Sequence, residues 1–160
     1  MQKFPITIKA YKKLEIELKK LKNEERPAVV KQIAVAREHG DLKENAEYHA
    51  AREKQSFIEG RILELEDKQA RAEVIDPTQL SGDTVKFGAT IRIADEETDE
   101  EKTYQIVGEY EADLKKNRIA ITAPISRAFI GKSEGDSVEV NAPGGVKYYE
   151  IISVKYEDID

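Results

Sequence analysis

From its first residue to His39 the chain contains no glycine, and from Thr7 onward its apolar residues recur at helical spacing. Tyr11, Leu14, Leu18 and Leu21 stand three, four and three residues apart, the seam of a coiled coil. Val29, Ile33 and Ala36 extend that stripe. After Gly40 and Asp41 a second run continues to about Glu73. In it Tyr48, Ala51, Gln55, Ile58, Ile62, Leu65, Gln69 and Ala72 again alternate at three and four. Two runs of about 30 residues joined by a short turn predict an antiparallel helical hairpin. At 1.5 Å per residue each arm is roughly 45 Å long, a rod too thin to form a compact core. Pro27 falls inside the first run. It lacks an N–H and crowds the carbonyl four residues back, so a kink or short break is expected there. Arg26, just before it, is expected to lean toward an extended conformation. Gly60 weakens the second run by about 1 kcal/mol relative to alanine.

Composition agrees with an exposed rod. Of 160 residues, 39% are hydrophobic and 36% charged, a balance that suits a long solvated helical element. The absence of cysteine excludes a disulfide framework and a thiolate metal site and fits a reducing compartment. No apolar run reaches membrane-spanning length. The segment Met1-Gln2-Lys3-Phe4-Pro5 lacks the apolar core of a signal peptide. The expectation is a soluble, cytoplasmic protein that touches no membrane. Residues 1–75 carry 16 Lys/Arg against 14 Asp/Glu, a net +2, and residues 76–160 carry 10 against 18, a net −8. An acidic second half argues against a protein that coats nucleic acid, whereas the first half has room for a local basic patch.

After Val74-Ile75-Asp76-Pro77 the period changes. Thr84–Phe87, Ala89–Ala94, Thr103–Val107, Arg118–Thr122, Asp136–Asn141 and Lys147–Tyr156 read as strands, β-branched and partly alternating. The acidic run Asp95–Lys102 reads as a solvated hairpin turn, and Pro143-Gly144-Gly145 as a tight turn. Ile125–Lys132 reads as one or two helical turns after Pro124. The fold class is therefore α+β. Residues 1–75 form an antiparallel coiled-coil hairpin with its tip at 37–52, and residues 76–160 a small, mostly antiparallel sheet domain with one short helix.

Chemistry-bearing residues are few. There is no phosphate-binding glycine loop and no Cys/His cluster. His39 and His49, ten apart, match no usual helical zinc pair and read more simply as surface polar residues. The tip reads Arg37-Glu38-His39-Gly40-Asp41-Leu42-Lys43-Glu44-Asn45-Ala46-Glu47-Tyr48. Two readings of Asp41 and Glu44 stand. An Asp at the N-cap with a Glu at the third helical position resembles a capping box that starts the second helix. Alternatively, two hard oxygen ligands at the end of a rod suit Mg²⁺, completing a site whose other ligands belong to a partner. Arg37 and Arg52 flank the tip, to pair with acids on the rod or to meet phosphates.

The stretch Ala36–Glu53 is similar, almost residue for residue, to the tip of the GreA/GreB transcript cleavage factors. A second block, Ala123-Pro124-Ile125-Ser126-Arg127-Ala128-Phe129-Ile130-Gly131-Lys132 with Gly135-Asp136 and Pro143-Gly144-Gly145, resembles that family's C-terminal domain of FKBP-like fold. The resemblance spans nearly the whole chain. It implies that the coiled coil enters the secondary channel of bacterial RNA polymerase while the globular domain docks at the channel mouth. Asp41 and Glu44 would then help hold the weakly bound second Mg²⁺ of the polymerase and orient the attacking water. A capping role and a metal role are compatible, since a cap needs only one oxygen of each carboxylate. Arg37, Arg52, Lys43, Asn45 and Tyr48 are implied to lie against the polymerase or the 3′ end of the nascent RNA. Ile125, Ser126, Arg127, Phe129, Ile130 and Lys132, with the acidic face of the second domain, are the docking candidates; the short helix capping the sheet is the alternative. The chain is expected to be a monomer, to bind no cofactor alone and to be no enzyme alone. Within the family, a pI of about 5.2 and a rod of modest charge favour the GreA branch and short cleavage products over the GreB branch with its larger basic patch. Three rival readings remain. A channel-binding inhibitor would share the rod but not the Gly40, Asp41 and Glu44 pattern. An FKBP-like isomerase or chaperone needs an aromatic pocket, in a chain without Trp. A structural coiled coil would not require this tip.

Overall fold

The computed structural model of the chain describes residues 2–40 and 43–158. The chain divides into two units, one spanning Tyr11–Ala72 and the other Gln2–Ala10 together with the chain from Glu73 on. Asp41 lies outside the described residues.

The first unit is a pair of helical arms. Helix α1 (Ile8–Lys20), one π-helical turn (Leu21–Glu25) and helix α2 (Arg26–Arg37) follow one another without a break; helix α3 (Ala46–Arg71) is the other arm. Leu14, Leu18, Leu21, Val29, Ile58, Ile62 and Leu65 form one buried cluster, and Ile33, Ala36 and Ala51 are buried as well. The expected kink at Pro27 takes a different form. Leu21 and Val29 are eight residues apart, one more than the seam's repeat of seven. The π turn absorbs that extra residue, because its wider ring closes on the fifth residue back: the Arg26 N–H bonds to the Leu21 carbonyl. Pro27 then follows directly on the π turn, in the first turn of α2; helix irregularities gather at proline and at π-bulges. Arg26 is helical, at φ −60° and ψ −51°, against the extended bias expected of a residue before proline. Its guanidinium grips Glu59 of the other arm through two bonds of 2.8 Å, an arrangement that favours that conformation.

Two further cross-arm pairs line the shaft. Arg61 donates to Glu17 at 2.8 and 3.1 Å, and Lys22 to Glu66 at 3.0 Å. The hydrogen bond from Arg26 holds the Glu59 carboxyl below its ordinary value, with partial desolvation opposing. The bond to Glu17 likewise raises the Arg61 guanidinium.

The second unit is built on a five-stranded sheet, order β5-β4-β3-β7-β6. Its strands are β3 (Thr90–Asp95), β4 (Glu101–Val107), β5 (Arg118–Ala120), β6 (Ser137–Ala142) and β7 (Gly145–Lys155). All neighbours are antiparallel except β4 and β5, which run parallel, so the sheet is mixed. One face buries Val85, Ile91, Ile93, Ile106, Ile119, Val138, Tyr149, Ile151 and Phe129 in a single core. Phe129 comes from helix α4 (Pro124–Phe129). The acidic turn forms as expected: Asp95 Oδ1 accepts from the amides of Glu97 and Thr98. Thr84–Phe87 is not a strand. Thr84 makes one isolated bridge to Ser133, and Val85 exchanges bonds with Lys132 and Gly131 in the loop after α4. The Tyr156 hydroxyl ties the segment down by donating to the Thr84 carbonyl and accepting from the Lys86 amide.

Strands β1 (Phe4–Thr7) and β2 (Ala72–Ile75) pair as a separate two-stranded sheet. A single cut between 75 and 76 therefore does not describe the division, since residues 2–10 group with the second unit. Their anchors are specific. Phe4 stacks edge-on against Tyr110 at 5.2 Å. Gly108 lets the Pro5 carbonyl approach to where a Cβ would stand only 2.6 Å away. Thr7 caps α1, its hydroxyl accepting from the Ala10 amide, while its own N–H and hydroxyl donate to Glu111.

Candidate functional site at the rod tip

Helix α2 ends at Arg37. The amides of Glu38 and His39 turn back to the carbonyls of Val35 and Ala36, and Gly40 adopts φ 106°, a conformation that glycine takes without strain. The other arm starts later than the sequence suggested. The N-cap of α3 is Asn45, whose side-chain oxygen accepts from the Tyr48 amide at 3.0 Å. This overturns the reading of Asp41 and Glu44 as a capping box for α3, since Glu44 precedes the cap. Its side chain is exposed and, among the described residues, has no ion pair or hydrogen bond.

The rest of the tip is held by side chains that grip the main chain. The Asn45 amide donates to the Ala36 carbonyl of the opposing arm at 2.6 Å. The Nε2 of His49 lies 3.0 Å from the Lys43 carbonyl. Helical side chains lean toward the N-terminus, so His49, in the first turn of α3, reaches back over the connection. Its ring stands edge-on to Tyr48 at 5.6 Å, and the Arg37 guanidinium sits 5.9 Å from the centre of the Tyr48 ring, within cation–π range.

Of the candidates named from sequence, Arg37, Lys43, Glu44, Asn45 and Tyr48 are brought together here. Arg52 is exposed one turn further along α3. Among the described residues neither Arg37 nor Arg52 forms an ion pair with a rod acid. His39 faces Glu47, with Nε2 and Oε2 4.0 Å apart, and lines a cavity of about 390 Å³ with Glu44, Asn45, Ala46 and Glu47. The two histidines are thus engaged separately, and among the described residues no cluster of three His, Asp or Glu is arranged to hold a metal. The grip of His49 on Lys43 was missed in the sequence, where His49 reads as a surface polar residue. Its place in the first turn of α3 was the available signal.

The docking candidates divide. Ser126 and Phe129 are fully buried. Ser126 donates to the Ala120 carbonyl at 2.6 Å, and the Phe129 ring lies 6.3 Å from Tyr149 in the core. They hold α4 on the sheet and present nothing to a partner. Ile125 and Ile130 pack partly against the same core, which leaves Arg127 and Lys132 exposed. Among the described residues no helix is long and apolar enough to cross a membrane.

Residues 4–74 match the family described as transcription elongation factor, N-terminal, and residues 80–156 match transcription elongation factor, GreA/GreB, C-term. The chain is 63% identical to transcription elongation factor GreA of Rickettsia prowazekii over 99% of its own length and 98% of the relative's. It is 64% identical to the GreA of Ruegeria pomeroyi, over 98% and 99%. Among solved structures it is similar to the elongation factor GreA/GreB from Nitrosomonas europaea, at 28% identity and a TM-score of 0.44, covering 96% of this chain and all of that one.

Proposed function

The chain belongs to the GreA/GreB family of transcription elongation factors, and on that premise we propose that it binds bacterial RNA polymerase through the secondary channel and stimulates endonucleolytic cleavage of the 3′ end of backtracked RNA. The observation that carries this reading is Glu44. Its carboxylate lies exposed where the two arms join, and Asn45, not Glu44, starts α3. That carboxylate is therefore left for a partner.

Asp41 and Glu44 supply hard oxygen donors of the kind Mg²⁺ takes, and they would hold the weakly bound ion of the polymerase together with the polymerase's own ligands. When bound, such ions stabilise the attacking and leaving oxygens of phosphodiester hydrolysis. The same two carboxylates would also help orient the attacking water. Arg37 and Arg52, with Lys43, face the phosphates of the extruded RNA, for which a guanidinium fork is well shaped. The contribution of this chain is position: α3 alone, at 1.5 Å per residue, carries the tip roughly 39 Å from its far end. The chemistry belongs to the polymerase, and the factor, a monomer, is no enzyme alone. Arg127 and Lys132 are the residues of the α4 segment that remain for docking. The acidic balance favours the GreA branch and short products.

The test is a stalled, backtracked polymerase complex with labelled RNA and Mg²⁺. Short 3′ fragments released by the wild-type chain, and not by Asp41→Asn/Glu44→Gln, are expected. Cleavage by both would place the donated ligands elsewhere. Binding without cleavage by either would make the chain a channel-binding inhibitor.

A further inference from the structure

We propose that His49 and Asn45 are positioning residues for Glu44, fixing the main chain on both sides of it; this rests on the role proposed for Glu44 above. The peptide before Glu44 carries the Lys43 carbonyl, which lies 3.0 Å from His49 Nε2. A carbonyl only accepts, so the imidazole donates, and Nε2 carries the proton. The peptide after Glu44 leads to Asn45, which is held twice. Its amide donates to the Ala36 carbonyl at 2.6 Å, and its oxygen accepts from the Tyr48 amide at 3.0 Å. Ala36 is buried, and its carbonyl also takes the His39 amide, so Asn45 is tied to a fixed point on the opposing arm. The His49 ring is braced by Tyr48, and Tyr48 lies under Arg37.

Glu44 is thus an exposed side chain on an anchored backbone, one peptide tied within α3 and the next tied across both arms. Only its own side-chain torsions remain to be fixed when a partner supplies the other ligands. A reacting group has to be held to about 0.5 Å, and a misplacement of about 1 Å costs about 100-fold in rate. On this account Asn45 acts through Glu44 and does not itself touch RNA.

The experiment measures cleavage in backtracked complexes over a range of factor concentration, separating the maximal rate from the half-saturating concentration. His49→Phe keeps a ring but loses the donor. His49→Gln restores a donor at similar reach. Asn45→Ser keeps a good helix cap but cannot reach Ala36. His49→Phe and Asn45→Ser are each expected to lower the maximal rate about tenfold, leaving half-saturation within about twofold. His49→Gln is expected to retain most of the rate. Unchanged maximal rates, a loss confined to half-saturation, or His49→Gln as impaired as His49→Phe would overturn the proposal. If the wild-type chain itself fails to cleave, the functional reading falls, and ¹⁵N relaxation at the Glu44 amide of the free protein decides the anchoring separately. Added sub-nanosecond motion in both loss variants supports it, and unchanged motion overturns it.

Discussion

The shaft and the tip of the rod are made from the same two helical arms but held together by different means. In the shaft the arms are joined side chain to side chain. An apolar seam of Leu14, Leu18, Leu21, Val29, Ile58, Ile62 and Leu65 is flanked by the pairs Arg26–Glu59, Arg61–Glu17 and Lys22–Glu66. At the tip the buried side chains shrink to Ala36 and Ala51, and the bonds run from Asn45 and His49 to main-chain carbonyls. The shaft pairs some of its charged groups across the arms, whereas the tip keeps Glu44 exposed and satisfies the backbone instead. On the proposed function, stability and activity would separate along one pair of helices.

The comparison breaks first if a tip carboxylate proves structural. Glu44→Gln is expected to lower RNA cleavage about 100-fold, the scale for losing a preorganised charge, while stability stays within about 0.5 kcal/mol; transcript cleavage assays and thermal melting on one preparation check both. Next, Ile62→Ala empties a side chain that is 1% exposed in the seam. It is expected to cost about 2–5 kcal/mol by urea unfolding followed through helical circular dichroism, with cleavage per folded molecule retained. Glu17→Gln removes a cross-arm partner of Arg61 that is 43% exposed. The expected loss is about 0.5 kcal/mol, as for other exposed pairs, shrinking further in 1 M salt. The smallest effect concerns pH. Because Arg26 holds the Glu59 carboxyl below its ordinary value, the stability it contributes is present above the ordinary carboxylate range. It is lost as pH falls through that range to the lowered value. Acid melts of Glu59→Gln are expected to show a shallower pH dependence than wild type.

Much of the shaft was legible in the sequence, because a repeating burial pattern is local information. The seam residues from Leu14 to Leu65 were readable at their three and four spacing. The π turn was present in the same numbers, as the step of eight from Leu21 to Val29, but Pro27 pointed to a kink. The helical Arg26 depends on Glu59, 33 residues away, and no local propensity reports that. The cap of α3 was read at Asp41, whereas the structure caps that helix with Asn45. The choice is settled by the second bond of Asn45, to Ala36 on the other arm, a tertiary fact. The same holds for β1, whose pairing with β2 joins segments far apart in the chain. Ser126 and Phe129, three apart on a short helix, lie on one face; which face meets the sheet depended on the core they fill.

The most direct test of the account is the Mg²⁺ requirement of transcript cleavage. In backtracked complexes the wild-type chain is expected to lower the Mg²⁺ concentration needed for half-maximal cleavage, relative to polymerase alone. Glu44→Gln, bound at saturation, is expected to leave that requirement at the value of polymerase alone. A Glu44→Gln variant that lowers the Mg²⁺ requirement as far as the wild type does would contradict a donated carboxylate at the tip.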